Sequence, residues 1–212
     1  MNAKQSDKLL GILTEHRTEF LGLSTEDAQW VIQSPKDAIT LFLEAIKSRK
    51  TPNIIEFIGT ITVPARTERF VARDHFIVDM SKKAKVKISY LGDNFSNNFL
   101  GKIEEPIAES TLRYGKLLRR SVDKPIINDL GGEANAETTL SEMFGCMELQ
   151  PTGKKGALLT NGYANIFYIR DDKGVLWAVL CSWLDAGWCV DAGSVEGADE
   201  WGGGSQVFSR NP

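Results

Sequence analysis

The amino-acid sequence predicts an α+β protein, in which N-terminal helices pack with a mostly antiparallel sheet that ends in a C-terminal β-meander. Apolar residues recur at helical spacing near the start of the chain, whereas β-branched and aromatic runs separated by turn residues fill its end. We predict a single domain over residues 1–212, with a helical part at 1–52, a mixed middle at 53–150 and the β-meander at 151–212.

Composition and charge favour an ordinary globular protein. Of the 212 residues, 42% are hydrophobic and 25% are charged, and the net charge is -3, so no overall field draws the protein to nucleic acid or to an anionic membrane. The chain shows neither a signal-peptide pattern nor the roughly 20 consecutive apolar residues of a membrane helix. Three cysteines are too few for a disulfide scaffold. We therefore expect a cytoplasmic protein with no membrane partner.

Three N-terminal helices are predicted from their starting signals. Ser6 is a candidate cap for the first helix, and Ser24 with Asp27 forms a capping-box pattern, in which aspartate takes the place of glutamate, for the second. Ser34 followed by Pro35 is typical of a third start, because proline at the first helical position needs no backbone N–H. Each helix is apolar on one side and must therefore cover something.

The middle of the chain changes to a strand-like period. Strands are predicted at Ile54–Val63, Phe70–Val78 and Val86–Leu91, with a turn at Ser81–Lys83 and a polar loop at Leu91–Gly101.

Beyond that loop the pattern becomes mixed. Glu105–Arg120 fits either a helix or a strand. A short helix at Pro125–Leu130 has Asp123 as its candidate cap and Gly131-Gly132 as its stop, and a longer helix is predicted at Ala136–Leu149.

The meander is predicted from two three-residue hairpin loops, Asp172–Gly174 and Asp185–Gly187, each with glycine where a positive φ is required. This register pairs Asp171 with Val175 and Leu184 with Trp188, and it leaves both faces of the sheet apolar. One face then carries Phe167, Ile169, Trp177, Val179, Cys181 and Trp183, and the other carries Ile166, Tyr168, Leu176, Ala178, Leu180, Trp188 and Val190.

An antiparallel sheet that is apolar on both faces needs a cover on each side. The N-terminal helices are candidates for one face, and the helix at Ala136–Leu149 or a partner subunit for the other. The tryptophans of the meander are therefore predicted to be core rather than a ligand-stacking platform. Trp201, between acidic residues and three glycines, has little to pack against it. Trp201 and Tyr163 are the candidate ligand or partner contacts.

Catalytic and metal-binding patterns are sparse. His16 lies on an apolar helical face and fits a packed core residue, which leaves His75 as a weak candidate for a hydrolytic site with a cysteine or a nearby carboxylate. Asp74 cannot readily orient it, because neighbours on a strand point to opposite faces. The sequence has no zinc or calcium spacing and no phosphate loop, so we predict neither a metal nor a cofactor. Cys181 and Cys189 share a face in the predicted register, in diagonal positions that favour buried thiols over a disulfide.

Two basic clusters are the candidate nucleic-acid patch, because together they could follow a phosphate backbone. A solvated surface is the favoured interpretation of such charge runs. The first cluster is Lys82, Lys83, Lys85 and Lys87, and the second, if its segment is helical, is Arg113, Lys116 and Arg120.

Three stretches, ISYLGDNFSNNFLGKIEEP, STLRYGKLLRRSVDKPII and LLTNGYANIFYIRD, resemble conserved hypothetical bacterial proteins that are uncharacterised. The resemblance implies a bacterial protein with one conserved architecture, and it implies no catalytic residue.

The leading functional hypothesis is a non-enzymatic binding or interaction protein whose partner is another protein or its own copy. A hydrolase using His75 is the first alternative, and nucleic-acid binding through Lys82–Lys87 and Arg113–Arg120 is the second.

Overall fold

The computed structural model describes residues 3–15, 18, 22–48 and 53–210. The chain divides into two compact units, Met1–Thr51 and Pro52–Pro212. Within the described residues the units combine helices with a seven-stranded sheet and a two-stranded sheet, which confirms the predicted α+β class. The prediction that all of the chain forms a single domain stays a prediction.

The first unit contains α1 (Ala3–Glu15), α2 (Thr25–Gln33) and α3 (Pro35–Ser48). Ser24 caps α2 as predicted, since its hydroxyl accepts from the Asp27 N–H at 3.0 Å, and Pro35 opens α3. The predicted cap at Ser6 is wrong, because Ser6 lies inside α1. His16 lies outside the described residues.

The second unit holds the sheets. Its elements are β1 (Ile55–Val63), β2 (Phe70–Val71), α4 (Ala72–His75), β3 (Ile88–Leu91), α5 (Asp93–Phe99), β4 (Ile103–Glu104), β5 (Ser110–Leu117), α6 (Asp123–Asp129), α7 (Glu133–Ala136), α8 (Leu140–Leu149), β6 (Asn165–Arg170), β7 (Leu176–Leu184), β8 (Gly187–Ser194) and β9 (Gln206–Arg210).

The large sheet has the strand order β1-β5-β9-β6-β7-β8-β3. Its pairs are antiparallel except for β6 with β9 and β3 with β8, which are parallel. The predicted meander is confirmed for β6, β7 and β8. The last strand differs from a meander, because β9 returns across the sheet and inserts between β5 and β6.

Both faces of the sheet are apolar, as predicted, and both are covered by residues of the second unit. Helices of the second unit thus pack on part of each face, and self-association stays a prediction. The first core cluster includes Leu112, Phe167, Ile169, Val179, Cys181, Trp188 and Phe208 of the sheet with Phe95, Phe99, Phe144 and Met147 of the helices. The second core cluster includes Ile166, Tyr168, Leu176, Ala178 and Val207 of the sheet with Ile126, Ile127 and Ala136 of α6 and α7.

One of the two predicted hairpin loops is right and the other is shifted by one residue. The first closes with the Asp171 N–H donating to Val175 O at 2.9 Å, and Gly174 has a φ of 79°. The second has only two turn residues, Asp185 and Ala186, with φ values of 49° and 69°.

The shorter turn changes the partners across the hairpin. Trp183 pairs with Trp188, and their rings meet edge to face at 5.1 Å, so the prediction that Trp188 and Val190 lie on the opposite face is wrong. The same shift places Cys189 opposite Ser182 and therefore on the other face from Cys181. All three cysteines are free.

Several predictions for the middle of the chain are also wrong. Phe70–Val78 is a two-residue strand followed by α4, not one strand. Leu91–Gly101 is not a polar loop but mainly the helix α5, which buries Phe95 and Phe99. The ambiguous segment Glu105–Arg120 contains strand β5.

Two predicted helices exist with different starts. α6 begins at Asp123, whose side chain is buried and forms no cap, and it ends before two glycines of positive φ as predicted. The helix predicted from Ala136 starts only at Leu140, where Thr139 and Glu142 form a capping box.

Candidate functional site

A cleft on the second unit lies where β5 ends and β9 begins. Its volume is about 540 Å³, and it joins two residues that the sequence singled out for different reasons, Tyr163 and Lys116. Its lining comprises Ile58, Lys116, Leu117, Leu118, Leu159, Asn161, Tyr163, Gly203, Gly204 and Gln206. We call it the Tyr163 cleft.

The Tyr163 cleft exists because α8 covers only part of the sheet. Gly145 of α8 lies so close to Val63 at the end of β1 that a Cβ there would come within 2.5 Å of Val63 Cγ1. Ile58 lies five residues earlier on β1, beyond the reach of this contact. The part of the first-cluster face near Ile58 and Lys116 is therefore bordered by the connection between α8 and β6.

Two buried amides hold that connection. The Gln150 amide accepts from Leu158 N–H at 2.7 Å and donates to Leu158 O at 3.0 Å. The Asn165 amide, which has no exposed surface, accepts from Leu159 N–H at 2.7 Å and donates to Leu159 O at 3.0 Å and to Cys181 O at 3.1 Å. Each amide replaces the hydrogen bonds that a strand neighbour would otherwise supply.

A third buried amide completes this wall. Gln206, at the start of β9, donates through Nε2 to the carbonyl of Ala157. The backbone at 157–159 is thus fixed by side chains from three different elements, and it presents Leu159, Asn161 and Tyr163 to the cleft. The wall is built into the fold before any ligand arrives.

A glycine turn forms the opposite wall. Gly204 has a φ of 103° and donates its N–H to Leu117 O at 2.8 Å. The Tyr163 ring lies on this turn, since a Cβ at position 204 would be 3.2 Å from Tyr163 Cε1. Gly203 approaches the backbone of Arg119 as closely. The glycines of this turn allow an aromatic ring to lie directly on the backbone.

Trp201 anchors the glycine turn. Its indole N–H donates to Asp123 Oδ1 at 2.7 Å, and Tyr168 OH donates to the same oxygen at 2.8 Å. Two backbone hydrogen bonds join Trp201 to Ser121: the N–H of each residue donates to the carbonyl of the other. The expectation that little packs around Trp201 is wrong, because the ring is half-buried against the second core cluster. Burial raises the pKa of the Asp123 carboxyl, and the two donors oppose that rise.

The polar side chains that line the Tyr163 cleft are one cation, one phenol and two amides, the second of them the buried Gln206. Lys116 is exposed, and no described residue forms an ion pair with it; Asn161 is exposed as well. Exposed apolar surface lies beside them, with 50% of Ile58, 55% of Leu118 and 46% of Tyr163 accessible. Such a lining can recognise a group that is part apolar and part anionic.

His75 lies elsewhere, at the end of α4 rather than on the predicted strand. Its ring stacks on Phe70 with centroids 4.3 Å apart and packs against Phe144 at 5.1 Å. Burial, and next the Arg66 guanidinium, lower the pKa of the imidazole. Among the described residues no serine, cysteine or carboxylate is hydrogen-bonded to the ring, although shallow hollows flank it. The described part of the chain therefore places no nucleophile on His75.

The basic residues predicted as one patch are dispersed. Lys85 Nζ lies 2.5 Å from Glu148 Oε1, and the Arg66 guanidinium binds the other carboxylate oxygen of Glu148. Because β5 is a strand, Arg113 and Lys116 point to opposite faces, so the shared helical face predicted for them is wrong. Lys82 and Lys83 lie in the predicted turn, Lys87 precedes β3, and Arg120 follows β5.

Among the described residues, no cluster of three or more His, Cys, Asp or Glu side chains is arranged to hold a metal ion. No helix in the described ranges combines the length and the apolar character needed to cross a membrane. Comparison of the chain with models of protein families, with curated proteins and with solved structures found no match. The resemblance to uncharacterised bacterial proteins stays a prediction.

Sequence reasoning missed the amides that hold the wall. Gln150 and Asn165 bond to backbone six to eight residues away, and Gln206 bonds to backbone 49 residues away. Bonds of that kind leave no periodic trace, and glutamine and asparagine in a sequence normally indicate surface. The flanking Gly203 and Gly204 were the one available signal.

Proposed function

We propose that this protein is a non-enzymatic binding protein, and that the Tyr163 cleft takes the part of a ligand or partner that combines an apolar group with an anionic one. The observation that carries the proposal is the wall of the cleft, which three buried amides hold in place. Burying amides in a core costs free energy unless every hydrogen bond is made, so their presence favours a loop whose position matters.

The lining supports the class of ligand. Ile58 and Leu118 offer exposed aliphatic surface, and Tyr163 offers an aromatic face fixed against the glycine turn. Lys116 supplies a positive charge that forms no ion pair with a described carboxylate, although Glu56 is its cross-strand partner. A preformed cleft with one cation and adjoining apolar surface favours an amphipathic anion, because little conformational entropy remains to be lost on binding.

The other hypotheses have less support. The hydrolase hypothesis lacks a described nucleophile beside His75, and the nucleic-acid hypothesis needs basic residues that β5 separates onto two faces. Three free cysteines favour a cytoplasmic location, which stays a prediction. Self-association stays a prediction as well.

The test is NMR of the ¹⁵N-labelled full chain with 4-phenylbutanoate as the probe and 4-phenyl-1-butanol as its neutral counterpart. We expect the carboxylate to shift the amide signals of Lys116, Tyr163, Gly203 and Gly204. The alcohol should bind about two- to fivefold more weakly, as expected for one exposed charge pair.

Matched variants distinguish binding at this site from nonspecific binding elsewhere on the surface. Tyr163→Ala should weaken the binding of 4-phenylbutanoate about tenfold, because an aromatic contact is lost. Lys116→Gln should make the acid and the alcohol bind with equal affinity. Tyr90→Ala is the control, since Tyr90 is 54% exposed on β3, at the opposite end of the sheet. Shifts scattered over the surface, or an equal loss in Tyr90→Ala, would contradict the proposal.

A further inference from the structure

The free edge of strand β1 is the feature of the sheet that the Tyr163 cleft does not explain. β1 is nine residues long and pairs with β5, and no other described strand pairs with it. Its sequence, IEFIGTITV, holds one charged residue, Glu56, and neither lysine nor proline. Natural edge strands are usually short, charged or covered, because an open edge recruits other strands.

The other edge of the same sheet is protected. β3 has only four residues, and Asp79 bridges it from outside, donating its N–H to Ile88 O at 3.0 Å. The turn at Ser81–Lys83 follows directly and adds two lysines. The fold thus protects the β3 edge, whereas the described cover of β1 lies at its start, where Asp129 Oδ2 accepts from the Ile54 and Ile55 N–H groups at 2.9 Å.

Strand β1 borders a cleft on each face. Phe57 and Ile58, at the point where the register with β5 shifts, line clefts on opposite faces of the sheet. Both side chains are about half exposed, at 54% and 50%. Gly115 allows β5 to lie close to the Ile55 side chain of β1, since a Cβ at position 115 would lie 2.4 Å from Ile55 Cγ2.

A second cleft lies on the face that Phe57 occupies. Its volume is about 210 Å³, and its lining includes Phe57, Arg113 and Ser209. The Arg113 guanidinium lies over the Phe57 ring, 5.0 Å from the centroid, and no described carboxylate pairs with it. We call this the Arg113 cleft. β1 is therefore flanked by one cleft on each face; Arg113 and Lys116 form no ion pair with a described residue, although Asp129 also lines the Arg113 cleft and Glu56 lies opposite Lys116.

We propose that β1 accepts an added strand: an extended segment of another protein that pairs with the backbone of β1 and places alternate side chains in the two clefts. Side chains alternate along a strand, so carboxylates an odd number of residues apart would reach Arg113 and Lys116 together. Backbone pairing supplies affinity in this mode of binding, and the flanking clefts supply specificity. The inference rests on the proposed function for the Tyr163 cleft and adds the edge and the Arg113 cleft.

Charge favours such a segment over a second copy of β1. A second copy would offer isoleucine, threonine and a single carboxylate, Glu56. Glu56 already lies opposite Lys116 of its own chain, as its cross-strand partner. An acidic and apolar segment complements both cations, whereas β1 of another copy complements neither well.

The experiment uses three synthetic peptides with the full chain. The probe is acetyl-Thr-Val-Asp-Val-Thr-Glu-Val-Thr-amide, whose two acids lie three residues apart. One control replaces the acids by their amides, and the other replaces the central valine by proline, which removes an N–H. Amide hydrogen exchange of β1 is followed by NMR with and without each peptide.

We expect the probe to slow exchange of the free-side β1 amides at least about tenfold at saturation, corresponding to about 1.4 kcal/mol of protection. The amide control should bind about five- to twentyfold more weakly, and the proline control should give no protection. Ile58→Glu, which places a like charge beside the acidic probe on the edge, should abolish protection, whereas Tyr90→Glu on β3 should leave it unchanged.

Each contrary result has a distinct meaning. Probe binding without β1 protection overturns the added strand and leaves the Tyr163 cleft standing, as the phenylbutanoate shifts would independently show. No binding of any peptide overturns it too. Protection of β1 that grows with protein concentration and without peptide identifies a second copy as the occupant. Because the peptide controls alter no residue of the protein, a misfolded variant does not decide the outcome.

Discussion

Replacing Asn165 by aspartate would exchange a single NH₂ group for an oxygen and should nevertheless be severely destabilising. One side-chain oxygen continues to accept from the Leu159 N–H, as Oδ1 does at 2.7 Å in the wild type. The other oxygen replaces Nδ2, which donates to Leu159 O at 3.0 Å and to Cys181 O at 3.1 Å. A carboxylate oxygen there faces two carbonyl oxygens with no proton between them.

The magnitude follows from these contacts. Two lost hydrogen bonds contribute about 1 kcal/mol each, and burying a carboxylate against two carbonyls adds about 1 to 3 kcal/mol. We expect Asn165→Asp to lower the free energy of unfolding by about 3 to 5 kcal/mol at neutral pH. That is a large part of the stability of an ordinary domain.

The loss should depend on pH in a defined direction. Burial and the facing carbonyls raise the pKa of the introduced carboxyl above its unfolded value of about 3.9, so the folded state holds the proton more tightly than the unfolded state. The penalty is therefore smallest below that unfolded value and grows as the pH rises through the folded pKa. When protonated, the carboxyl also regains one donor toward the carbonyls.

Urea unfolding followed by tryptophan fluorescence, at pH 4.5 and pH 7.5, measures both effects, because four of the five tryptophans lie in the second unit. Asn161→Asp is the matched control: Asn161 is exposed, and its oxygen, which accepts from the Tyr163 N–H at 3.3 Å, is retained. The control should change stability by less than about 0.5 kcal/mol. An Asn165→Asp penalty below about 1 kcal/mol, or one that is larger at pH 4.5, would refute the reasoning.

Three further predictions concern other parts of the second unit. Trp201→Phe removes a donor to the buried Asp123 carboxylate and should cost about 1.5 to 3 kcal/mol in urea unfolding, whereas an unchanged midpoint would contradict this bond. Ala186→Gly should stabilise by about 0.5 to 1 kcal/mol in thermal unfolding, because a φ of 69° strains alanine. His75 should titrate below 6.5 by NMR, and Arg66→Gln should raise that midpoint. Because the pKa is lower in the folded state, the stability of the wild-type protein should fall as the pH drops from 6.5 through the folded pKa. A midpoint above 6.5 would count against the packing described for the ring.

The two-sided character of the sheet could be predicted because it depends on local pattern alone. Strands β6 and β7 are apolar at successive positions, as in Ile166 and Phe167, and a strand sends successive side chains to opposite faces. Nothing beyond that geometry is needed to infer two cores. What covers them depends on tertiary packing, and the helices that do so, α5 to α8, were only partly recognised.

The one-residue error in the second hairpin has a physical origin. Glycine at position 187 favoured a three-residue loop, yet the chain places Asp185 and Ala186 in the left-handed region at a cost of about 1 to 2 kcal/mol each. In return, Trp183 and Trp188 meet edge to face on the first-cluster side. The ring contact and the complete burial of Trp188 both favour this register against the turn preference, and a local signal cannot weigh them.

Segment 91–101 shows how tertiary packing overrides composition. Asparagines, a serine and two glycines favour a loop, but Phe95 and Phe99 are four residues apart and stack at 5.6 Å on one face of α5. Both rings are fully buried. Burying two phenylalanines is worth several kcal/mol and exceeds the summed propensity penalty of the polar residues between them, about 0.7 kcal/mol or less each.

The connection from residue 151 to residue 164 contains neither a helix nor a strand, yet it is held tightly at its centre. A connection without functional consequence would be shorter, or would leave its backbone to water. Here Gln150 and Asn165, at its two ends, and Gln206 on β9 lie in the interior, where each must find every partner or cost free energy. Fixing a loop in this way places the entropic cost of ordering Leu159 and Tyr163 in folding rather than in binding. Under the proposed function, a ligand that contacts only a few groups in the Tyr163 cleft would bind measurably, because most of its interaction energy would be left to appear as affinity.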